Sequence, residues 1–224
     1  LSGMSTQGQG QITTYAQICA EIMDVPLEQV EVRLGNTDLL PFGRGAFASR
    51  GAVVGGNAVA GAANKLRKRI LALAGTLLQC DSKSLSIRLG RILREDATET
   101  ELTFPEIAAQ AQPGGSLNKG HFALEADYIY DTGGSLTLAL SVQTAKIALD
   151  IKTGYYRILD YFILHDAGKL LNPKIVDGQI IGGVVDGMGC TTLSEIIHDE
   201  NGHYFTVNDT FREMVDGLVD DLRD

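Results

Sequence analysis

Residues 136–164 read LTLALSVQTAKIALDIKTGYYRILDYFIL. Leu136, Leu138, Leu140 and Val142 alternate with smaller or polar residues, the period of a half-buried strand. The apolar parity then slips to Ile147, Leu149 and Ile151, which predicts a bulge or bend near Thr144. Thr153-Gly154 predicts a turn, and Ile158 to Leu164 returns as the second arm of a hairpin. A tight turn joins antiparallel neighbours, whereas a parallel pair would need a long crossover.

Working outward from this hairpin, the same two periods sort the remaining chain. His121 to Tyr130 is strand-like; Leu85, Ile87 and Leu89 alternate, as do Val30, Val32 and Leu34 against Glu31 and Arg33. Helical spacing links Tyr15, Ile18, Cys19 and Ile22 in a helix over Thr13 to Met23, ended by Pro26. A longer helix carries Val59, Ala63, Leu66, Ile70, Leu73 and Leu77. Thr103 and Glu106 form a capping box around Pro105 and open a short helix through Ala111. Asn36 to Gly51 and Gln112 to Lys119 read as loops. Asn172-Pro173 opens a last helix that runs through Ile175, Ile180, Val184 and Met188 toward Ile197. The fold class that follows is α+β, with long helices packed on mostly antiparallel, hairpin-connected strands. Residues 1–224 read as one domain that admits a sub-division into 1–111 and 112–224, with 203–224 as a divergent tail.

The bulk chemistry narrows the partners. Net charge is −9, from 28 acids against 19 bases, whereas phosphate-backbone binding needs a basic footprint, so no nucleic acid is expected. The one basic cluster, Lys65, Arg67, Lys68 and Arg69, reads as a solvated helix face. No run of about 18 apolar residues is present, so no membrane partner is expected either. Cys19, Cys80 and Cys190 are widely spaced without a CxxC pattern; buried thiols in a reducing cytoplasm are the expectation.

Three places put glycine or small polar residues at a helix start: Gln7-Gly8-Gln9-Gly10, Ala48-Ser49-Arg50-Gly51, and Asn172-Pro173 with Gly178-Gln179. A helix start offers unpaired N–H groups and about half a positive charge, which suits anions. Glycine turns that only cap helices are the bland alternative. The last helix also holds Gly178, Gly182, Gly183, Gly187 and Gly189. At about 1 kcal/mol each relative to alanine, five cost roughly 5 kcal/mol, comparable with a domain's whole net stability of about 5–15 kcal/mol. Either that helix is broken, or close packing against a helix, a flat ligand or a second domain offsets the cost. Gln179 lies among these glycines, and its amide can both donate to and accept from a heterocycle.

Taken together, these segments resemble a family. Gln7-Gly8-Gln9-Gly10 with Thr13-Thr14-Tyr15-Ala16-Gln17-Ile18 resembles the second molybdopterin-contacting segment of xanthine dehydrogenases and aldehyde oxidases. Asn36-Thr37-Asp38, Pro41 and Ala48 through Val59 are similar to the family's next cofactor segment. His165-Asp166-Ala167-Gly168, Leu171-Asn172-Pro173, Gly178-Gln179 and Gly187-Met188-Gly189 resemble the third. The three occur in the family's order over roughly residues 3 to 200, as in a C-terminal piece of the molybdenum-cofactor-binding large subunit.

The resemblance implies the fold of the molybdopterin-binding domain of molybdenum hydroxylases. It implies that Gly8 and Gln9 meet the pterin, and that Ala48, Ser49, Arg50 and Gly51 line the metal pocket and bind phosphate through backbone amides. Gln179 would hydrogen-bond the pterin. The cofactor would be molybdopterin, with or without a cytosine dinucleotide extension. The activity implied is oxidative hydroxylation of aldehydes or N-heterocycles such as purines, with iron–sulfur clusters and FAD on partner domains or subunits. In the family the glutamate that takes the hydroxide's proton sits in a glycine-flanked motif after the third segment; no such motif stands here, and the sequence from Phe205 departs from the pattern. Glu195 and Glu213 read as surface residues, and no residue is assigned a catalytic role. The chain is therefore expected to be inactive alone, needing the remaining subunit segments; a silent association scaffold is the competing reading. His165-Asp166 invites a proton-transfer reading, but a turn-capping Asp166 fits its context better.

Overall fold

A computed structural model describes residues 1–40, 42–94, 102–117, 124–134, 138–192 and 196–206. The expectations for 118–123, Leu136, Glu195, Glu213 and 207–224 lie outside these residues. The chain divides into two compact units, Leu1–Leu171 and Asn172–Asp224. The division falls where the last helix opens.

Helix α1, Gln11–Met23, and helix α2, Asn57–Leu77, are the long elements of the first unit. Strands β1 (Leu85–Arg88), β2 (Arg91–Arg94) and β3 (Leu102–Thr103) form an antiparallel sheet in that order. Helix α3, Phe104–Ala111, follows at once, with the Thr103–Glu106 capping box in place: Thr103 N–H donates to Glu106 Oε2 at 2.7 Å. One apolar cluster joins these pieces, with Met23 from α1, Ile70 and Ala74 from α2, Leu85, Ile87 and Ile92 from the sheet, and Ile107 from α3. The alternation of Leu85 and Ile87 turns both into this cluster, which is why that strand was legible.

Strand β2 was not foreseen from sequence. It exists because Leu89 (φ 49°) and Gly90 (φ 74°) make a two-residue left-handed turn, the kind whose twist matches a hairpin. Leu89 therefore leaves the strand and is exposed, contrary to the alternation read from Leu85 to Leu89. The turn is held by the end of α1: Asp24 accepts from Gly90 N–H with its carbonyl (2.7 Å) and from Leu89 N–H with Oδ1 (3.1 Å).

Two predicted strands are absent among the described residues. Residues 30–34 are extended but meet only Ser2, whose N–H donates to the Arg33 carbonyl at 3.0 Å and whose carbonyl accepts from Gly35 N–H at 3.2 Å. Residues 125–130 have no strand partner either. Instead Lys65 Nζ donates to the Asp127 carbonyl at 2.9 Å, and Arg69 donates to the Glu125 carbonyl. The basic cluster on α2 is thus not simply a solvated face: two of its members satisfy alternate carbonyls of an extended segment, and Lys65 also lies over the Tyr128 ring.

The deciding hairpin is present as β4 (Leu140–Leu149) and β5 (Tyr156–Asp166), paired antiparallel. Its register shifts between Lys146 and Ile147, so Leu159 on β5 is the extra residue. Gly154 turns at φ 76°, and Gly154 N–H donates to the Asp150 carbonyl at 2.8 Å. Val142 pairs with Leu164, Leu140 and Phe162 lie on the same face opposite Asp166 and Thr144, and all four apolar side chains are exposed. At the end of β5, Asp166 Oδ1 accepts from Gly168 N–H at 2.8 Å, a turn-capping role for that acid.

The second unit holds α4, Pro173–Thr192, and the antiparallel strands β6 (Ile196–His198) and β7 (Tyr204–Thr206). Asn172 Oδ1 accepts from Ile175 N–H at 3.2 Å, so the helix starts on an Asn cap followed by proline, as read. Cys190 is exposed and Cys19 and Cys80 are partly buried, so the expectation of three buried thiols fails. No helix among the described residues is long and apolar enough to cross a membrane.

Candidate functional site

Helix α1, which follows the first glycine loop, meets the end of the second loop at Gly51. Helix α1 starts directly after Gly10, whose left-handed backbone (φ 73°) would be strained with a side chain. No side chain caps this helix start. Within the loop, Gln9 and Gln7 bind each other reciprocally: Gln9 Nε2 donates to Gln7 Oε1 at 2.8 Å, and Gln7 N–H donates to Gln9 Oε1 at 2.7 Å. Gln7 is exposed and Gln9 partly buried, with Gly8 (φ 100°) between them.

The second loop closes on Phe47-Ala48-Ser49-Arg50. Ala48 (φ 50°) and Ser49 (φ 58°) are both left-handed, and Arg50 N–H donates to the Phe47 carbonyl at 3.2 Å. That geometry belongs to Gly or Asn; each non-glycine residue held there costs of order 1–2 kcal/mol. Retained strain of this kind clusters at functional sites, because it fixes backbone amides where a relaxed turn would not. Their small side chains leave the backbone open, and the Arg50 guanidinium stacks over the Phe47 ring at 5.0 Å.

Directly after Arg50, Gly51–Gly56 forms a π-helical turn before α2. Such turns inside helices recur at functional positions. Two α1 side chains fix it. Tyr15, 1% exposed, donates its hydroxyl to the Gly51 carbonyl at 2.7 Å. Burial pushes the Tyr15 phenol up to about 12, against a smaller opposite pull from Arg50. Gly55 faces the same hydroxyl so closely that a Cβ there would overlap it. Gln11 lies against Gly51, with Nε2 3.0 Å from where a Gly51 Cβ would stand. Gln11 is 4% exposed, and its Oε1 has no hydrogen-bond partner among the described residues.

Of the residues singled out from sequence, Gly8, Gln9, Ala48, Ser49, Arg50 and Gly51 all belong to the first unit, and α1 reaches Gly51 through Gln11 and Tyr15. Gln179 belongs to the second unit, on α4, where it is exposed. Sequence reading missed Gln11, Tyr15 as an anchor and Gly55. Tyr15 carried only a helical-spacing signal, and nothing local announces that a tyrosine 36 residues before Gly51 will bind its carbonyl.

A strained amide turn beside an uncapped helix start is a class of site that takes anionic or polar heterocyclic ligands. The molybdopterin cofactor-binding domain family matches residues 1–212, and the chain belongs to that family. It is 32% identical to the carbon monoxide dehydrogenase large chain of Hydrogenophaga pseudoflava over 203 residues, covering 90% of this chain and 25% of that one. It is 31% identical to a putative xanthine dehydrogenase molybdenum-binding subunit of Escherichia coli K12, covering 88% and 26%. Quinoline 2-oxidoreductase of Pseudomonas putida 86 superposes with a TM-score of 0.76 at 36% identity, covering 91% and 26%. The α+β class agrees with these neighbours. The chain spans about a quarter of the length of the relatives it matches.

Proposed function

We propose that this chain supplies part of the molybdopterin site of a molybdenum hydroxylase acting on aldehydes or N-heterocycles such as purines, and that it is inactive alone. The observation that carries the reading is the meeting of the uncapped α1 start with the strained Ala48–Ser49 turn at Gly51. The residues fit the cofactor in kind. Gly8, Gly10 and Gly51 leave backbone amides unscreened, Ala48 and Ser49 present theirs from a fixed turn, and Arg50 adds a positive charge for phosphate. On this reading Gly8 and Gln9 hold the pterin end, and Ala48, Ser49, Arg50 and Gly51 hold the phosphate side. Gln179 hydrogen-bonds the pterin from α4. For its side chain to bind, Gln9 has to exchange its bonds to Gln7 for bonds to the ligand.

The bound cofactor supplies two-electron oxidation coupled to hydroxylation; the residues named here bind and orient it. The proton-accepting glutamate, the substrate pocket and the iron–sulfur and flavin groups come from polypeptide outside these residues. A cytosine dinucleotide extension would place a second phosphate within the same class of site. Cytoplasmic assembly is part of this proposal.

Association scaffolding is the second reading, favoured by the exposed apolar face of Leu140, Val142, Phe162 and Leu164. The test is co-expression with the adjoining reading frames in a host that makes molybdenum cofactor, followed by mass and pterin measurement. A complex with stoichiometric pterin, and little molybdenum on the chain alone, is expected. A complex without pterin supports scaffolding, and full hydroxylase activity from the chain alone refutes the claim of incapacity.

A further inference from the structure

We infer that Gln11 is a positioning residue whose carboxamide is held ready for an N–H donor on the heterocycle of the bound cofactor. The inference rests on the proposed function above and assigns a role to a residue that the sequence reading passed over.

Gln11 is the first residue of α1, yet it is buried. A glutamine at a helix start ordinarily points into water, since its amide can make up to four hydrogen bonds there. Here Oε1 is enclosed and makes none. A buried carbonyl oxygen left without a donor is costly, and native structures keep such a group only where something else satisfies it. The carboxamide is directed at Gly51, with Nε2 and Cδ 3.0 and 3.8 Å from the position a Cβ would take. A side chain at Gly51 would fill the space Gln11 reaches into; glycine leaves it open. Just before Gly51 in the chain stands the strained Ala48–Ser49 turn, and the Gly51 carbonyl is already engaged by Tyr15. The Tyr15 hydroxyl, one nearby donor, is therefore committed to Gly51, and the ligand class that completes Gln11 is one carrying an N–H beside an acceptor, as ring amides and amidines of a pterin do.

The test compares native protein with Gln11→Met, close in length but without the amide, and Gln11→Glu, which retains an acceptor. Each is made as the full complex with its adjoining segments, once in a cofactor-producing host and once in a host unable to make molybdopterin. Pterin per complex is read by fluorescence after oxidative release, at limiting cofactor, and thermal midpoints are read on the cofactor-free preparations. Gln11→Met should lower pterin occupancy about tenfold, the equivalent of one hydrogen bond of about 1.4 kcal/mol, with Gln11→Glu in between. Its cofactor-free midpoint should stay level or rise, because an orphaned polar group has been replaced by an apolar one. A clear fall in that midpoint means that Gln11 is satisfied structurally, by buried water or protein, and overturns the inference. Equal pterin in native and Gln11→Met complexes overturns this inference alone; native complex without pterin overturns the proposed function with it.

Discussion

Replacing Gly55 by alanine probes the joint between α1 and the π-helical turn with a single methyl group. The added Cβ would overlap the Tyr15 hydroxyl and stand 2.7 Å from Tyr15 Cζ and 2.9 Å from Met4 Cγ. Tyr15 cannot swing away cheaply, because its ring is buried and its hydroxyl is bonded to Gly51. Overpacking costs about 1–3 kcal/mol, and losing the buried hydrogen bond adds about 1–3 kcal/mol. Against this, alanine in a helical turn gains about 1 kcal/mol over glycine. The net is a loss of roughly 3 kcal/mol, within about 1–5 kcal/mol, or about 6–12 °C in Tm for a chain of this size. Urea unfolding of native, Gly55→Ala, Tyr15→Phe and the double variant measures it. Phenylalanine removes the atom the methyl meets first, so the double variant should lose at least about 1 kcal/mol less than the sum of the singles. A Gly55→Ala variant within about 0.5 kcal/mol of native, or strict additivity, would refute the joint.

Other expectations follow from the same unit. The raised Tyr15 phenol stabilises the fold fully below pH 10 and ceases to do so as pH passes about 12, because the unfolded chain gives up that proton first. Urea midpoints from pH 9 to 12 should fall more steeply for native protein than for Tyr15→Phe, by on the order of 2–3 kcal/mol across the window. Ala48→Gly should stabilise by about 0.5–1 kcal/mol by relieving the left-handed backbone, net of glycine's entropy; a loss in thermal midpoint would contradict the strain. Thr103→Ala should cost about 1 kcal/mol in chemical unfolding through loss of the capping box, and no change would contradict the cap. In alkylation followed by mass spectrometry, Cys190 should react well before Cys19, whose thiol burial pushes up; the reverse order would contradict these environments.

What the sequence made legible was what is local. Capping chemistry put α3 and α4 in place, since Thr103 and Asn172 each declare a helix start within three residues. The β4–β5 hairpin was legible through its turn, and even its irregularity was foreseen, two residues early and on the wrong strand. Alternation misled at Val30–Leu34, because an alternating segment becomes a strand only when another backbone comes alongside, and Ser2 alone does so. Strand β2 escaped because Arg91-Ile92-Leu93-Arg94 is short, and only the Leu89-Gly90 turn marks it. The loops of the candidate site were legible as glycine-rich helix starts. The contacts that join them were not, since Tyr15–Gly51 and Tyr15–Gly55 span 36 and 40 positions and leave no periodic trace.

Glycine carries the same local cost on two helices here and is compensated on only one of them within its own unit. On the π-turn and α2, each glycine admits something specific: Gly55 the Tyr15 hydroxyl, Gly61 the Tyr128 ring, Gly75 the backbone of Cys80 and Ser82. Burial of the Tyr15 ring against Gly55 is worth more than the roughly 1 kcal/mol a helical glycine forfeits, while the Tyr128 ring over Gly61 stays partly exposed. On α4, Gly178, Gly182, Gly183, Gly187 and Gly189 have no neighbour among the described residues that a Cβ would touch, and Ile181 and Val185 are exposed beside them. The helix is nonetheless continuous from Pro173 to Thr192, which answers the question its composition raised: it is not broken. Its five glycines cost about 5 kcal/mol relative to alanine, and Gln179, exposed among them, is the side chain there that can both donate and accept a hydrogen bond.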